Sequence, residues 1–437
     1  MAYIPNTPAD QLDMLRTIGV ESIDELFAPI PSELQLKGEL DIPLAYDQIA
    51  LTRHYTALAK KNAGDEFACF LGAGVYDHYV PPTVGAILSR GEFLTSYTPY
   101  QPEVSQGVLQ SIYEFQTLIS ELFSMDLANA SMYDAATGLA EAAAMAAEIT
   151  GRREIIASDT INPAYLDVLR TYLAHGSYEL RIIETRDGVS DADLLRYSIS
   201  EKTAALLVQH PNFYGNLEDV HNLAKLAHDA GALFVSSVDP VSLGLIIPPG
   251  EYDADIAVGE WQSLGCPMGF GGPMLGLFTC KREFMLRLPG RIVGATKDIE
   301  GKKAYVMTLR TREQDIRREK ATSNICTNVA LYALAAAVHL STLGKTGVQE
   351  VASLCFQKAH YLAGRIAEKK GYSLAFPNAK FFKEFVVQCP TSPEDVNTAL
   401  LDKGIIGGYP LEGNRMLIAV TEQRTREELD RFIDGLI

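Results

Sequence analysis

Two patterns of apolar positions alternate along the middle of the chain. Residues 154–158, 178–184, 203–209, 232–238, 254–259 and 275–280 are short, nearly unbroken apolar runs, and such runs predict strands buried on both faces. Between and before them, 135–150, 163–175 and 218–230 read as helices. Gly151, Gly176 and Gly231 stand just past their ends, where a glycine closes the last turn. Apolar strands separated by helices of this length predict α/β architecture with a mainly parallel sheet covered on both faces. Longer helices are expected at about 104–123 and at 327–343.

The flanks have a different texture. Residues 1–60 predict a helical arm: Thr7 precedes Pro8 as a cap precedes a first-turn proline, Ser22 opens a second short helix, and Pro29, Pro31 and Pro43 then interrupt the segment. The segment packs either as an arm on something larger or as a lid helix of the same domain. Beyond residue 345 a helix (348–369), strands (372–376 and 381–388), a helix (393–403), a strand (416–420) and a last helix (425–433) predict a small two-layer α+β domain. The expected division is an arm over 1–60, a large α/β domain over 61–344 and a small domain over 345–437.

Composition narrows the function classes. The 437 residues carry 38 Lys and Arg against 55 Asp and Glu, a net charge of −17, which excludes a protein built to wrap nucleic acid. With 47% apolar and 21% charged residues, the chain is an ordinary globular one rather than a disordered one. No apolar stretch approaches the roughly 18–20 residues of a membrane span. The N-terminus has neither a basic start nor an apolar signal core, so the cytoplasm is the expected compartment. Six cysteines are scattered without a C-x-x-C pair, which predicts reduced thiols and no zinc site. Charge is unevenly placed: 12 basic and 6 acidic residues fall between Lys281 and Lys320. Such a local excess predicts either an anion site or a solvated, salt-bridged face.

Several motifs can be set aside. Gly344-Lys345-Thr346 resembles the end of a phosphate-binding loop, but His339 stands where its first glycine belongs. No G-x-G-x-x-G turn opens the sheet. His221 and His228 share a helix face without a third ligand, so no metal site is expected.

A parallel sheet presents ligands at the carboxyl ends of its strands. Three such ends carry distinctive residues: His210-Pro211-Asn212-Phe213-Tyr214-Gly215-Asn216, Asp239-Pro240, and Glu260-Trp261-Gln262-Ser263-Leu264-Gly265 followed by a glycine-rich turn. This order matches a pyridoxal-phosphate enzyme of the aspartate-aminotransferase fold. That chemistry needs an Asp to keep the pyridine nitrogen protonated and a Lys some 20–30 residues later to form an imine. Asp239 suits the first role. At the second stands Gln262, whose carboxamide forms no imine. Lys281 and Lys297 come too late in the chain.

The stretches FLGAGVYDHYVPP (70–82), SYTPYQPEVSQG (96–107), NASMYDAATGLAEAA (129–143), VGEWQSLGCPMGFGGP (258–273), LPGRIVG (288–294) and TLRTREQDIRREKATSNICTN (308–328) carry a more specific likeness. Through them the chain resembles the α-type (subunit 1) chains of the two-subunit bacterial P-protein of the glycine cleavage system, glycine dehydrogenase (decarboxylating). The β-type chains carry a His-Lys pair where this one has Trp261-Gln262. The resemblance implies an α2β2 assembly in which the β-type partner holds pyridoxal phosphate covalently. It implies that glycine is decarboxylated and that its aminomethyl group passes to the lipoyl arm of the H-protein, an oxidoreductase reaction of glycine catabolism.

On that reading this chain has no catalytic residue of its own, and two segments are best suited to complete the partner's site. Tyr97, Tyr100, Gln101 and Glu103, on a proline-braced loop, would line the glycine pocket. Arg318, Thr322, Ser323 and Asn324 would offer cations, hydroxyls and the start of the 327–343 helix to the partner's phosphate. A helix cap with loop packing, and a surface salt-bridge network, are the bland alternatives. Asn212, Asp239 and Ser131-Met132-Tyr133-Asp134 form a vestigial site with structural duties, and Cys266 is a buried structural thiol. The competing function is a non-catalytic scaffold or ligand-sensing subunit. A self-sufficient pyridoxal enzyme using an unexpected lysine is a third possibility.

Overall fold

Runs such as Glu154–Ser158 and Gly276–Cys280 are buried along their whole length, and that is why they read as apolar throughout. The computed structural model describes residues 5–62 and 64–437. Its strands are, in chain order, β1 (Ala68–Cys69), β2 (Leu127–Ala128), β3 (Glu154–Ser158), β4 (Glu179–Ile183), β5 (Thr203–His210), β6 (Leu233–Val238), β7 (Ile256–Glu260), β8 (Gly276–Cys280), β9 (Ile292–Lys297), β10 (Lys303–Thr308), β11 (Ser373–Leu374), β12 (Glu384–Gln388), β13 (Ile405–Ile406), β14 (Tyr409–Leu411) and β15 (Arg415–Ala419). Seven of them form one sheet in the order β2-β8-β7-β6-β5-β3-β4. Strands β4, β3, β5, β6 and β7 are parallel, and β8 runs antiparallel to both its neighbours. This is the mainly parallel α/β arrangement that the sequence pattern predicts, with a small antiparallel sheet, β11-β12-β15-β14, formed by the C-terminal part of the chain.

Both faces of the large sheet are covered. The alanine-rich helix Ala135–Thr150 is buried without a break from Ala135 to Ala143, because small side chains let its backbone lie close against the strands. Leu139, Ala143 and Ala147 share a core with Ile155, Val235, Val258 and Phe278. Truncating Leu139 to Ala would cost about 2–5 kcal/mol. On the second core, Phe115, Ile119 and Phe123 of helix Gln106–Phe123 meet Trp261, Leu277 and Ala336.

Some elements differ from expectation. The helices foreseen at 327–343 and 348–369 form one run, Ala330–Ala367, broken at Gly344, whose φ of 59° and ψ of −177° are not helical. Its start is later than foreseen because tertiary bonds hold the preceding residues out of the helix: Val329 N donates to Ser131 Oγ (2.9 Å) and Asn328 Nδ2 to the Ala130 carbonyl (3.2 Å). Segment 317–324 therefore does not end on a helix N-terminus. The β9–β10 hairpin was not foreseen at all. Its burial alternates, with Val293, Tyr305 and Met307 turned onto Leu109 and Ile112. That period-2 signal lay hidden under the basic residues of the segment. Finally, β1 pairs in parallel with β13, far along the chain.

Residues 1–63 and 64–437 are two compact units. The first holds helices Pro8–Ile18 and Gln48–Ala59. Thr7 and Asp10 form a reciprocal capping box on the first, and Asp47 caps the second. Neither helix has a buried residue, and Leu12, Ile18, Ile49 and Tyr55 are exposed.

Candidate functional site

The turns that follow β5, β6 and β7 bring Asn212, Asp239 and Gln262 to one end of the large sheet, as the sequence order required. What surrounds them was not legible in the sequence. Gln262 is buried, and its carboxamide is fully engaged: Nε2 donates to the carbonyls of Tyr76 (3.0 Å) and Cys266 (2.9 Å), and Oε1 accepts from Tyr76 N (2.9 Å). The residue that the sequence spacing put at the imine position thus staples the 70–82 loop to the sheet.

Asp239 is occupied as well. Lys383, 2% exposed and placed just before β12, sets its Nζ 2.8 Å from Asp239 Oδ2 and 3.6 Å from the centre of the Tyr76 ring. The same ammonium donates to His78 Nε2 (3.0 Å), and His78 Nδ1 bonds Glu422 (2.6 Å). Burial and then the Lys383 charge lower the pKa of His78, so the neutral ring accepts from Lys383 at Nε2 and donates from Nδ1. Burial works against ionisation of Glu422, but the hydrogen bonds from His78 Nδ1 and the Tyr79 amide outweigh it and hold its pKa below the ordinary carboxyl value. A primary ammonium therefore lies where a protonated ring nitrogen would meet Asp239.

Two further carboxyls close the pocket. Glu384 accepts from Ala73 N (2.8 Å) and the Tyr76 hydroxyl (2.7 Å), and burial pushes its pKa up to about 7. It can come this close only because Gly72 and Gly215 lack side chains: a Cβ on Gly72 would collide with the Glu384 carboxylate, and one on Gly215, at φ 82°, with its carbonyl. Glu260 accepts from the amides of Ala135 (3.1 Å) and Leu275 (3.0 Å), and burial raises it to about 7. Asp134 caps the same helix through Thr137 N (2.7 Å). The N-terminus of helix Ala135–Thr150, where a phosphate would find free amides, is filled by the chain's own carboxyl groups.

The other residues that the sequence reading grouped with Asp239 are braces. Asn212 uses both ends of its amide, accepting from Tyr214 N and Asn216 N and donating to the Gly188 carbonyl and Glu218. Tyr133 OH accepts from Cys326 N (3.0 Å), and burial raises the Cys266 thiol to about 11, which leaves it unreactive. Amine, free carboxylate and open helix end are the three features that would hold pyridoxal phosphate. Each is absent or taken, so this pocket does not fit the coenzyme. Lys383, Tyr76, His78 and Glu422 escaped the sequence reading. Tyr76 and His78 at least lie in one of its distinctive stretches, whereas nothing around Lys383 marks it.

The two segments proposed to face a partner lie together at the surface. Tyr97, Tyr100, Gln101, Glu103, Arg318 and Asn324 are exposed, and Thr322 and Ser323 are half-buried. Thr98 and Thr327 hydroxyls meet at 3.3 Å. Arg291, not singled out from sequence, joins the segments more firmly: its Nη2 donates to the Tyr100 hydroxyl (3.0 Å) and to the Cys326 carbonyl (2.7 Å). Arg310 lies over the Tyr100 ring too, 5.9 Å from its centre. Thr322 and Ser323 line a small cavity of about 20 Å³ with Arg312, Arg317 and Gly290. The basic excess is thus partly a tertiary brace, since Arg312 spends its donors on the carbonyls of Leu288, Gly290 and Leu309.

Comparison with known proteins decides the family. The model of the glycine cleavage system P-protein matches residues 1–436. The chain belongs to the P-protein family of the glycine cleavage system. Among curated relatives, a protein of Chlorobium limicola is 50% identical, over 100% of this chain and 99% of its own. One of Geobacillus thermodenitrificans is 48% identical, over 99% and 98%. Both are described as probable glycine dehydrogenase (decarboxylating) subunit 1. A solved P-protein, crystallised in inhibitor-bound form, superposes with a TM-score of 0.92 at 44% identity, covering 100% of this chain and 99% of that one. A sphingosine-1-phosphate lyase of Burkholderia pseudomallei, 13% identical with a TM-score of 0.67 over 94% and 93% of the two chains, shares the fold alone. Among the described residues no helix is long and apolar enough to cross a membrane.

Proposed function

We propose that this chain is subunit 1 of a glycine dehydrogenase (decarboxylating), required for the reaction but carrying no catalytic centre of its own. The supporting observation is the filled pocket: Lys383 on Asp239, Gln262 bonded to backbone, and Glu260 on the helix end. The coenzyme then belongs to a β-type partner in an α2β2 assembly in the cytoplasm, where pyridoxal phosphate would serve as the electron sink for decarboxylation of glycine. This chain's own contribution is binding and enclosure. Tyr97, Tyr100, Gln101 and Glu103 complete the glycine pocket across the interface, and Arg318, Thr322, Ser323 and Asn324 present cations and hydroxyls to the partner-held phosphate. The lipoyl arm of the H-protein collects the aminomethyl group between the two chains.

Borohydride reduction of the assembled enzyme, followed by mapping of the modified peptide, tests the assignment. Label on the partner supports it, and label on this chain ends it. A ligand-sensing role for the pocket is disfavoured by the same filling. A plain scaffold would be indicated if Tyr97→Phe, Glu103→Gln and Thr322→Ala all left turnover of the complex unchanged.

A further inference from the structure

Arg291 immediately precedes β9 and is 4% exposed. One of its terminal nitrogens donates to both Tyr100 and Cys326, whereas Nε and Nη1 are buried with no hydrogen-bond partner among the described residues. The carboxylate of Glu313 lies 3.7 Å from Nε, in ion-pair range but beyond a hydrogen bond. Burying a guanidinium with two donor nitrogens unmatched is costly. The cost falls at one place, the junction of the 96–103 and 317–328 segments.

Geometry shows what the arrangement achieves there. Tyr100 is 52% exposed, so packing alone does not choose its rotamer. The Arg291 guanidinium lies 4.9 Å from the ring centre while its Nη2 reaches the ring's own hydroxyl, which restrains the ring in both tilt and azimuth. Through the Cys326 carbonyl the same group holds the strand of chain that follows Ser323 and Asn324. We propose that Arg291 is a positioning residue of the P-protein reaction. It orients Tyr100 toward the partner's glycine pocket and couples that ring to the 322–326 segment, without itself touching substrate. This inference rests on the reading that the 96–103 loop faces the partner's site.

The test uses this chain co-assembled with its β-type partner, assayed for glycine decarboxylation with lipoylated H-protein. Arg291→Gln, Arg291→Lys, Tyr100→Phe and the Arg291→Gln/Tyr100→Phe pair are compared. The expected result is a rise in the glycine KM of about fivefold or more for Tyr100→Phe and for both Arg291 variants, with kcat and the KM for H-protein little changed. The double variant should be no worse than the poorer single, the non-additivity of two groups that act through one bond. Lysine keeps the charge, and with it assembly, but lacks the planar fork that spans ring and carbonyl, so it should not rescue. If Tyr100→Phe raises KM while Arg291→Lys does not, or if the two effects add in full, the positioning role is overturned. If neither Tyr97→Phe nor Tyr100→Phe moves the glycine kinetics, the underlying assignment of the loop fails instead. Should Arg291→Gln prevent assembly, the comparison of Arg291→Lys with Tyr100→Phe still decides the matter.

Discussion

The pocket at the strand ends and the surface around Tyr100 use similar residues in opposite ways. In the pocket, charge is matched at close range: Lys383 has Asp239, His78 and the Tyr76 ring, and Gln262 leaves no polar atom idle. At the surface, matching is incomplete. Arg291 Nε and Nη1, Arg310 Nε and Glu313 Oε1 are buried without hydrogen bonds, and Tyr97 is 74% exposed. The first region has the economy of a structural core, the second that of a site whose surroundings are completed by another molecule. A buried polar network that is saturated rigidifies, and one that is not invites an explanation outside itself.

The contrast can be broken most decisively at Lys383. Removing one partner of a buried ion pair costs about 3–5 kcal/mol. Lys383→Met alone, measured by denaturant unfolding of this chain, should show a loss of that order, and Lys383→Met/Asp239→Asn should recover much of it. Additive losses would mean that the pair is not the brace described. Next in size is Gln262. Gln262→Ala should lose about 1–3 kcal/mol by orphaning the Tyr76 backbone groups. Gln262→Lys should gain no reducible coenzyme, because the places of the ring nitrogen and the phosphate stay filled. A borohydride-fixed adduct on that variant would refute the filled pocket.

A smaller effect follows from Glu384. Its folded pKa, raised to about 7 by burial, lies above the ordinary carboxyl value. The proton is bound more tightly in the folded state, so the stability it contributes is full below about pH 4.5 and is lost as pH rises through about 7. Glu384→Gln cannot titrate. The stability of the parent relative to this variant should therefore fall between pH 5 and 8, and a constant difference would show that Glu384 titrates normally. The smallest change in stability is reserved for the surface: Tyr97→Phe and Glu103→Gln should stay within about 0.5 kcal/mol of the parent. The same two variants should slow the assembled enzyme about tenfold, a loss of ~1.4 kcal/mol in transition-state binding. Slow turnover with intact stability is the signature that separates the two regions.

The local code was legible where one segment's chemistry suffices. Thr7 and Pro8 announced a capped helix, Gly151 a helix end, and the unbroken apolar runs β3, β5 and β8 a doubly covered sheet. The β9–β10 hairpin was missed because its two short alternating runs are flanked by the lysines and arginines of a segment that was read for its charge. At the site, the absence of an imine-forming lysine at 262 was plain from spacing to Asp239. That Gln262 bonds Tyr76, 186 residues away, was not.

By itself, then, the sequence determined the strand order's chemistry: which residue types stand at each strand end, that one of them is a carboxamide, and which family pattern the stretches follow. Only the tertiary structure decided that the pocket is closed from within, because Lys383 and Glu384 reach it from the small sheet and His78 from a loop more than 300 residues away from Lys383. It also decided that Arg291 joins two segments 191 and 35 residues distant from it. Backbone propensity and apolar period are properties of neighbours in the chain, whereas neutralising a buried charge depends on which groups the fold brings within a few ångströms.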